Sequence, residues 1–174
     1  MTDVPKSTQD RLGIILSGWR NRVVSREVRP PLLDIACGLN VLARQFDGSV
    51  GIDIQDYGTT DRVVEDFTKI PFPDKSFRTI TIVASLNYFD DPVGVLRECA
   101  RLLTDDGQVV LTLLDPAVGR QWHRFREPWA KRPGFTSSSV DEMAAQVGLN
   151  VVRRSRFMLG LNWLYVLKKE TAKQ

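Results

Sequence analysis

Leu32-Leu33-Asp34-Ile35-Ala36-Cys37-Gly38-Leu39-Asn40 is the stretch on which the fold of this chain turns. Pro30 and Pro31 close off what precedes it, apolar residues flank one acid, and Ala36, Cys37 and Gly38 then leave the backbone almost bare. An apolar run with such punctuation reads as a buried strand entering a tight turn. In open α/β sheets ligands bind at the carboxyl ends of the strands, so a small-residue turn there is a candidate cradle.

Downstream, Val41 to Phe46 predicts barely two helical turns before Asp47-Gly48 ends them. Ser49 to Ile54 reads as a second buried strand whose end presents Asp53, nineteen residues after Asp34. An acid at that place would reach a ribose diol if a nucleoside lay across both strand ends. Arg62 to Glu65 predicts a short edge strand. The connection Gln55 to Asp61 is too short for the usual helical crossover, which leaves one sheet face thinly covered near Tyr57, where self-association is conceivable.

Two prolines make Ile70-Pro71-Phe72-Pro73-Asp74 a loop. Phe77 to Ala84 is a central strand on its β-branched content, and it ends at the polar cluster Ser85-Leu86-Asn87-Tyr88. Pro92, preceded by Asp90 and Asp91, starts a helix with the stripe Val93, Leu96, Cys99, Ala100 and Leu103. Gln108 to Leu114 is a further strand. Asp115 to Phe135 reads as irregular, with Trp122, Phe125 and Trp129 interleaved among Arg120, His123, Arg124, Arg126, Lys131 and Arg132. Thr136 to Ser139 offer caps for a helix through Gln146, and Asn150 to Met158 with Leu161 to Lys168 make a hairpin, so the last strand runs antiparallel.

Upstream, Ser7-Thr8-Gln9-Asp10 has the form of a capping box, and Leu12, Ile15, Leu16, Trp19 and Val23 recur at helical spacing. A helix over 8–27 is expected, with an apolar inner face and a solvated face that carries Arg11, Arg20, Arg22 and Arg26.

A chain of 174 residues, 43% of them hydrophobic, suits one domain over 1–174, with an N-terminal helical segment over 1–29 and a variable segment over 115–135. The net charge of +3 lacks the clustered basic footprint of a nucleic-acid binder. Cys37 and Cys99 lie far apart and His123 is the sole histidine, so no metal site is expected and a reducing compartment is favoured. Nothing approaches the roughly 20 apolar residues of a spanning helix. The expectation is a soluble, cytoplasmic protein without membrane contact.

Taken together, the order of strand, small-residue turn, acid-ended second strand, Asp-Phe pair, Ile-Pro-Phe loop and terminal hairpin resembles a class I S-adenosylmethionine-dependent methyltransferase. It is similar to the small-molecule group that includes the quinone-pathway methyltransferases. Asp34 to Asn40 match the family's first motif, an acid, any residue, then G-C-G-x-G. Asp53 matches the acidic end of strand two, Asp66-Phe67 the adenine-contacting pair, and Ile70 to Phe77 the loop into strand four. Asp91-Pro92, Leu96, Glu98, Arg101-Leu102-Leu103 and Gly107 match the helix and turn before strand five. Ala36, Asn40 and Arg78 depart from the pattern, standing where two glycines and an acid are usual.

The resemblance implies a Rossmann-like α/β sheet of seven strands in order 3-2-1-4-5-7-6 with strand 7 antiparallel, in agreement with the hairpin read from the residues. It implies S-adenosyl-L-methionine as cofactor and S-adenosyl-L-homocysteine as product. Asp53 would hold the ribose hydroxyls, Asp66 the adenine amino group, Phe67 the adenine ring through its backbone, and Gly38 the methionine moiety. Asp34, Ala36, Cys37, Asn40, Ile54 and Ser85 would complete the cofactor surface, and Asn87 and Tyr88 would stand beside the acceptor.

Methyl transfer from a sulfonium is an in-line displacement of an already activated group, so the protein mainly aligns the partners and excludes water. A base is needed if the acceptor is a hydroxyl or a protonated amine, and His123 is the candidate. Transfer to a small-molecule acceptor is the leading reading. The alternatives are a cofactor-binding protein without transfer, and an RNA or protein methyltransferase that uses the basic 120–132 segment. A dehydrogenase is disfavoured, because Gly38-Leu39-Asn40-Val41-Leu42-Ala43 lacks the second glycine of G-x-G-x-x-G/A. Asparagine tolerates a left-handed backbone. Asn40→Gly is therefore expected to leave or improve cofactor affinity.

Overall fold

Successive residues of a strand point to opposite faces of its sheet, and here that alternation sorts the core into two layers. The computed structural model describes residues 11–125 and 134–170. Strands β1 (Leu32–Ile35), β2 (Val50–Asp53), β3 (Arg62–Val63), β4 (Phe77–Val83), β5 (Leu103–Leu114), β6 (Leu149–Phe157) and β7 (Asn162–Lys169) form one sheet. Its order is β3-β2-β1-β4-β5-β7-β6. All neighbours from β3 to β5 pair in parallel, while β7 runs antiparallel to both β5 and β6. The expected architecture is the observed one.

On one face, Leu33, Ile35, Ile80, Ile82, Val109 and Leu111 pack against α2 (Pro92–Leu102) and α4 (Ser137–Ala145). Asp91 caps α2 by accepting the Gly94 N–H at 2.8 Å. Gly94 is required there, since a Cβ on it would lie 2.2 Å from the Asp91 Oδ2. Thr136 caps α4 in the same manner through the Ser139 N–H.

The other face is thinner and more polar. Leu32, Val110, Leu164 and Val166 meet Val24 of α1 (Arg11–Ser25), Leu42 and Ala43. Asp34 pairs in register with Thr81 on that face, and Thr79, Thr81 and Thr112 are fully buried.

Four expectations need correction. The two-turn helix over Val41 to Phe46 is a single 3-10 turn, Ala43–Gln45, because Phe46 goes extended and Gly48 reverses the chain with φ +68. The apolar stripe of α1 does not all face inward: Val24 is buried, but Ile15 is 65% and Trp19 46% exposed. The segment after Leu114 is not wholly irregular either. α3 (Pro116–Phe125) starts at Asp115-Pro116, the same Asp-Pro signature as Asp91-Pro92, with the Asp115 carboxylate accepting the Ala117 N–H. Finally, Leu103 ends the α2 stripe in sequence but opens β5, paired with Phe77. The capping box Ser7 to Asp10, residues 126–133 with Trp129, Lys131 and Arg132, and the last four residues lie outside the described residues.

Candidate active site

The turn after β1 is built from alternating left-handed residues: Ala36, Gly38 and Asn40 have φ of 57°, 54° and 53°. The zigzag is fastened at Cys37, whose N–H bonds to the Ile52 carbonyl at 3.0 Å, and at Gly38, whose N–H donates to the Asp53 Oδ2 at 2.9 Å. The bare turn at Gly38 and the acid of β2, fifteen positions apart in sequence, thus touch directly. A Cβ built on Gly38 would meet no heavy atom within 4 Å, so the backbone there is open to close approach.

The Gln55 N–H contacts the other Asp53 oxygen at 3.3 Å. A carboxylate has about four acceptor positions, and the amides of Gly38, Gln55 and Ile54 do not fill them. Burial raises the Asp53 carboxyl above the ordinary range, opposed by the Gly38 and Gln55 amides. Ile54, 62% exposed, sets an apolar side chain beside this acid. These features fit a nucleoside with an amino-acid arm.

Asp34 lies beneath the turn, buried, and accepts the Thr81 hydroxyl at 2.6 Å. Burial pushes its carboxyl from the ordinary 3.8 to about 7, against the Thr81 bond and with some help from the Asp53 charge. Its contacts brace the β1–β4 junction. Burial also drives the Cys37 thiol far up, reinforced by Asp34, Asp53 and Asp61, so this half-exposed sulfur is no thiolate nucleophile.

The loop after β3 returns along the same sheet edge, starting where the Val64 N–H bonds to the Asp53 carbonyl. Asp66 is exposed and accepts both the N–H and hydroxyl of Thr68 at one oxygen, which hold its carboxyl below the usual range. Phe67 is buried, with its ring tilted 5.1 Å from that of Phe89. At the end of β4, Ala84 mirrors Ala36 with φ 55°. Its N–H reaches the carbonyl and the hydroxyl oxygen of Thr112, both at 3.0 Å. A 3-10 turn, Leu86–Tyr88, follows Ser85, which donates to the Val83 carbonyl and presents buried Asn87 and half-buried Tyr88. His123 lies on α3, which follows β5; its side chain lies outside the described ones. Among the described residues no three His, Cys, Asp or Glu side chains gather as a metal site.

The side-chain role of Asn40 escapes a reading of the sequence. Asn40 is fully buried and its amide donates to Asp61 and to the Thr59 carbonyl. The signal was Gly51, since glycine inside a strand marks a close approach.

Sheet order and strand-end turn define an α/β domain of the class I methyltransferase type. Residues 33–111 match the family model described as a methyltransferase domain. A demethylmenaquinone methyltransferase from Thermotoga maritima is 35% identical over 121 residues, 59% of this chain and 53% of that relative. The chain thus matches about half the length of this curated relative. A S-adenosylmethionine-dependent methyltransferase structure from the same organism has a TM-score of 0.73 at 15% identity, covering 87% of this chain and 88% of that one. The Haloferax volcanii protein solved with the Trm112 methyltransferase activator gives 0.72 at 16%, covering 92% and 93%. These two share the fold. No helix among the described residues is long and apolar enough to cross a membrane.

Proposed function

We propose that the protein transfers a methyl group from S-adenosylmethionine to a small-molecule acceptor. The observation that carries this reading is the bond between the Gly38 N–H and Asp53, which joins an open backbone turn to an acid with spare acceptor positions. In this reading Asp53 holds the ribose hydroxyls, Asp66 the adenine amino group, Ile54 and the Phe67 backbone the adenine ring, and the Cys37-Gly38 backbone the methionine moiety. The cofactor supplies the methyl on a sulfonium. The chain's part is to hold the acceptor in line and exclude water, a task for Ser85, Asn87 and Tyr88 at the edge of the crevice. His123 takes the proton when the acceptor is a hydroxyl. Two unpaired thiols favour a reducing, cytoplasmic setting.

The name of the 35% identical relative supports a reduced quinone ring as the first acceptor to test. Calorimetry with S-adenosylmethionine, followed by transfer of a labelled methyl to a panel of acceptors, is the decisive experiment. Saturable binding and transfer are expected. Binding with no transfer to any acceptor favours a cofactor-binding protein, a reading suggested by Ala36 and Asn40 in place of glycines, and absence of binding overturns both. His123→Ala should lower turnover with cofactor affinity intact; unchanged turnover on the true substrate removes His123 from the mechanism.

A further inference from the structure

The turn at Ala36 to Asn40 is fastened sideways by side chains where a helix would otherwise follow it. Asn40 donates one amide hydrogen to the Asp61 Oδ2 at 2.8 Å and another to the Thr59 carbonyl at 2.9 Å. The same Asp61 oxygen accepts the Gly51 N–H at 2.8 Å, and the Asp61 N–H returns to the Gly51 carbonyl at 3.1 Å. The Thr59 hydroxyl closes the loop on the Leu39 carbonyl at 3.0 Å. One carboxylate oxygen therefore takes a hydrogen from the turn and another from the middle of β2.

The fit is tight. A Cβ on Gly51 would fall 2.0 Å from the Asn40 Oδ1, so the strand gives up a side chain to admit the amide. That oxygen is buried and has no hydrogen-bond partner, a cost accepted to deliver both hydrogens to the loop. Glycine at position 40 would adopt φ 53° without strain but could make neither bond.

We propose that Asn40 and Asp61 are a positioning pair that sets the Cys37-Gly38 backbone against Asp53, and through it the affinity for the nucleoside cofactor. The proposal rests on the functional reading above. It reverses the expectation for Asn40→Gly, which keeps the turn's φ but releases its clamp. Neither side chain has a part in methyl transfer, so the effect falls on KM for the cofactor and leaves kcat at saturation within about twofold.

The test uses the full chain with S-adenosylhomocysteine as the calorimetric probe, and hydrogen exchange at the Gly38 amide as a readout that needs no ligand. Asn40→Asp sets two carboxylates face to face and should weaken binding about tenfold or more, with faster Gly38 exchange. Asn40→Gly should do the same to a lesser extent. Asn40→Gly combined with Asp61→Ala should cost less than the sum of the two single variants in both readouts, because each single change already releases the bond the pair shares. Unchanged Gly38 exchange in the single variants, or strictly additive losses in the double variant, overturns the pair. Faster exchange in variants of a parent that never binds the probe sustains the pair's hold on the turn and sinks the cofactor reading instead. A lowered melting temperature with unaltered affinity and exchange reduces Asn40 and Asp61 to a fold contact and also overturns the proposal.

Discussion

Ala36 and Ala84 end adjacent central strands in the same left-handed conformation, at φ 57° and 55°. For a residue with a Cβ that conformation costs roughly 1–2 kcal/mol, and it persists where surrounding bonds over-determine it. Cys37 bonded to Ile52, and Ala84 bonded to Thr112, are those surroundings. Asp34 lies between them, two residues before Ala36 and bonded to the strand that ends at Ala84. Burial pushes its carboxyl up from the ordinary 3.8 to about 7 in the folded chain. The folded protein then retains a proton that the unfolded chain has released, so this group's contribution is most favourable below the unfolded value, declines as pH rises toward about 7, and levels above it. Asp34→Asn keeps an acceptor for Thr81 and removes the titration. The stability of the variant relative to the parent, followed by urea denaturation, should rise between pH 4 and 7 and then stay flat. A pH-independent difference would mean that Asp34 is ionised throughout. The sequence shows that Asp34 sits in a strand; it does not show that Thr81 is opposite, because register comes from pairing across forty-seven residues.

At the scale of elements, the loop into β4 illustrates what a matched motif does physically. Arg101 on α2 donates to the carbonyls of Ile70 and Phe72 at 2.9 and 3.0 Å, and also reaches Glu98 and Asp74. Glu98 in turn accepts the Ile70 N–H at 2.8 Å. One guanidinium thus replaces the backbone ladder that Pro71 and Pro73 deny this loop. Lysine cannot reproduce the fork. Arg101→Lys should therefore cost about 2 kcal/mol in urea denaturation; an unchanged midpoint would leave Ile70, Phe72 and Phe77 as the whole anchor. Most strands, α2 and α4 were legible because periodicity and the Asp91-Pro92 and Thr136 to Ser139 caps are local, whereas α3, with its Asp115-Pro116 start, was read as irregular. The inner face of α1 was not, since Ile15 and Trp19 have the spacing of core residues and yet stand exposed. Nor was the clamp at Asn40, whose partners come from a loop with no pattern of its own.

Over the whole molecule, the seven-strand order was reached through the family resemblance that the succession of strand ends carries, and the terminal hairpin with its antiparallel strand was the part read from the residues alone. What lay beyond reach was the sideways fastening of the turn after β1 and the polarity of the α1 face. The sheet's outermost members add one more property. β6 carries Arg153, Arg154 and Arg156, which engage Glu27, Asp141 and Asp115, and Arg156 also stacks over Trp163 at 4.4 Å. A strand joining that edge would have to strip water from those charges. Arg154→Ile combined with Arg156→Val should therefore raise light scattering on concentration, and an unchanged monodisperse sample would show that the edge is guarded by other means. At the opposite end β3 spans two residues, too few to template a partner. The sheet is thus self-limiting at both ends: further molecules are left the two faces and the carboxyl rim, where the turn lies open.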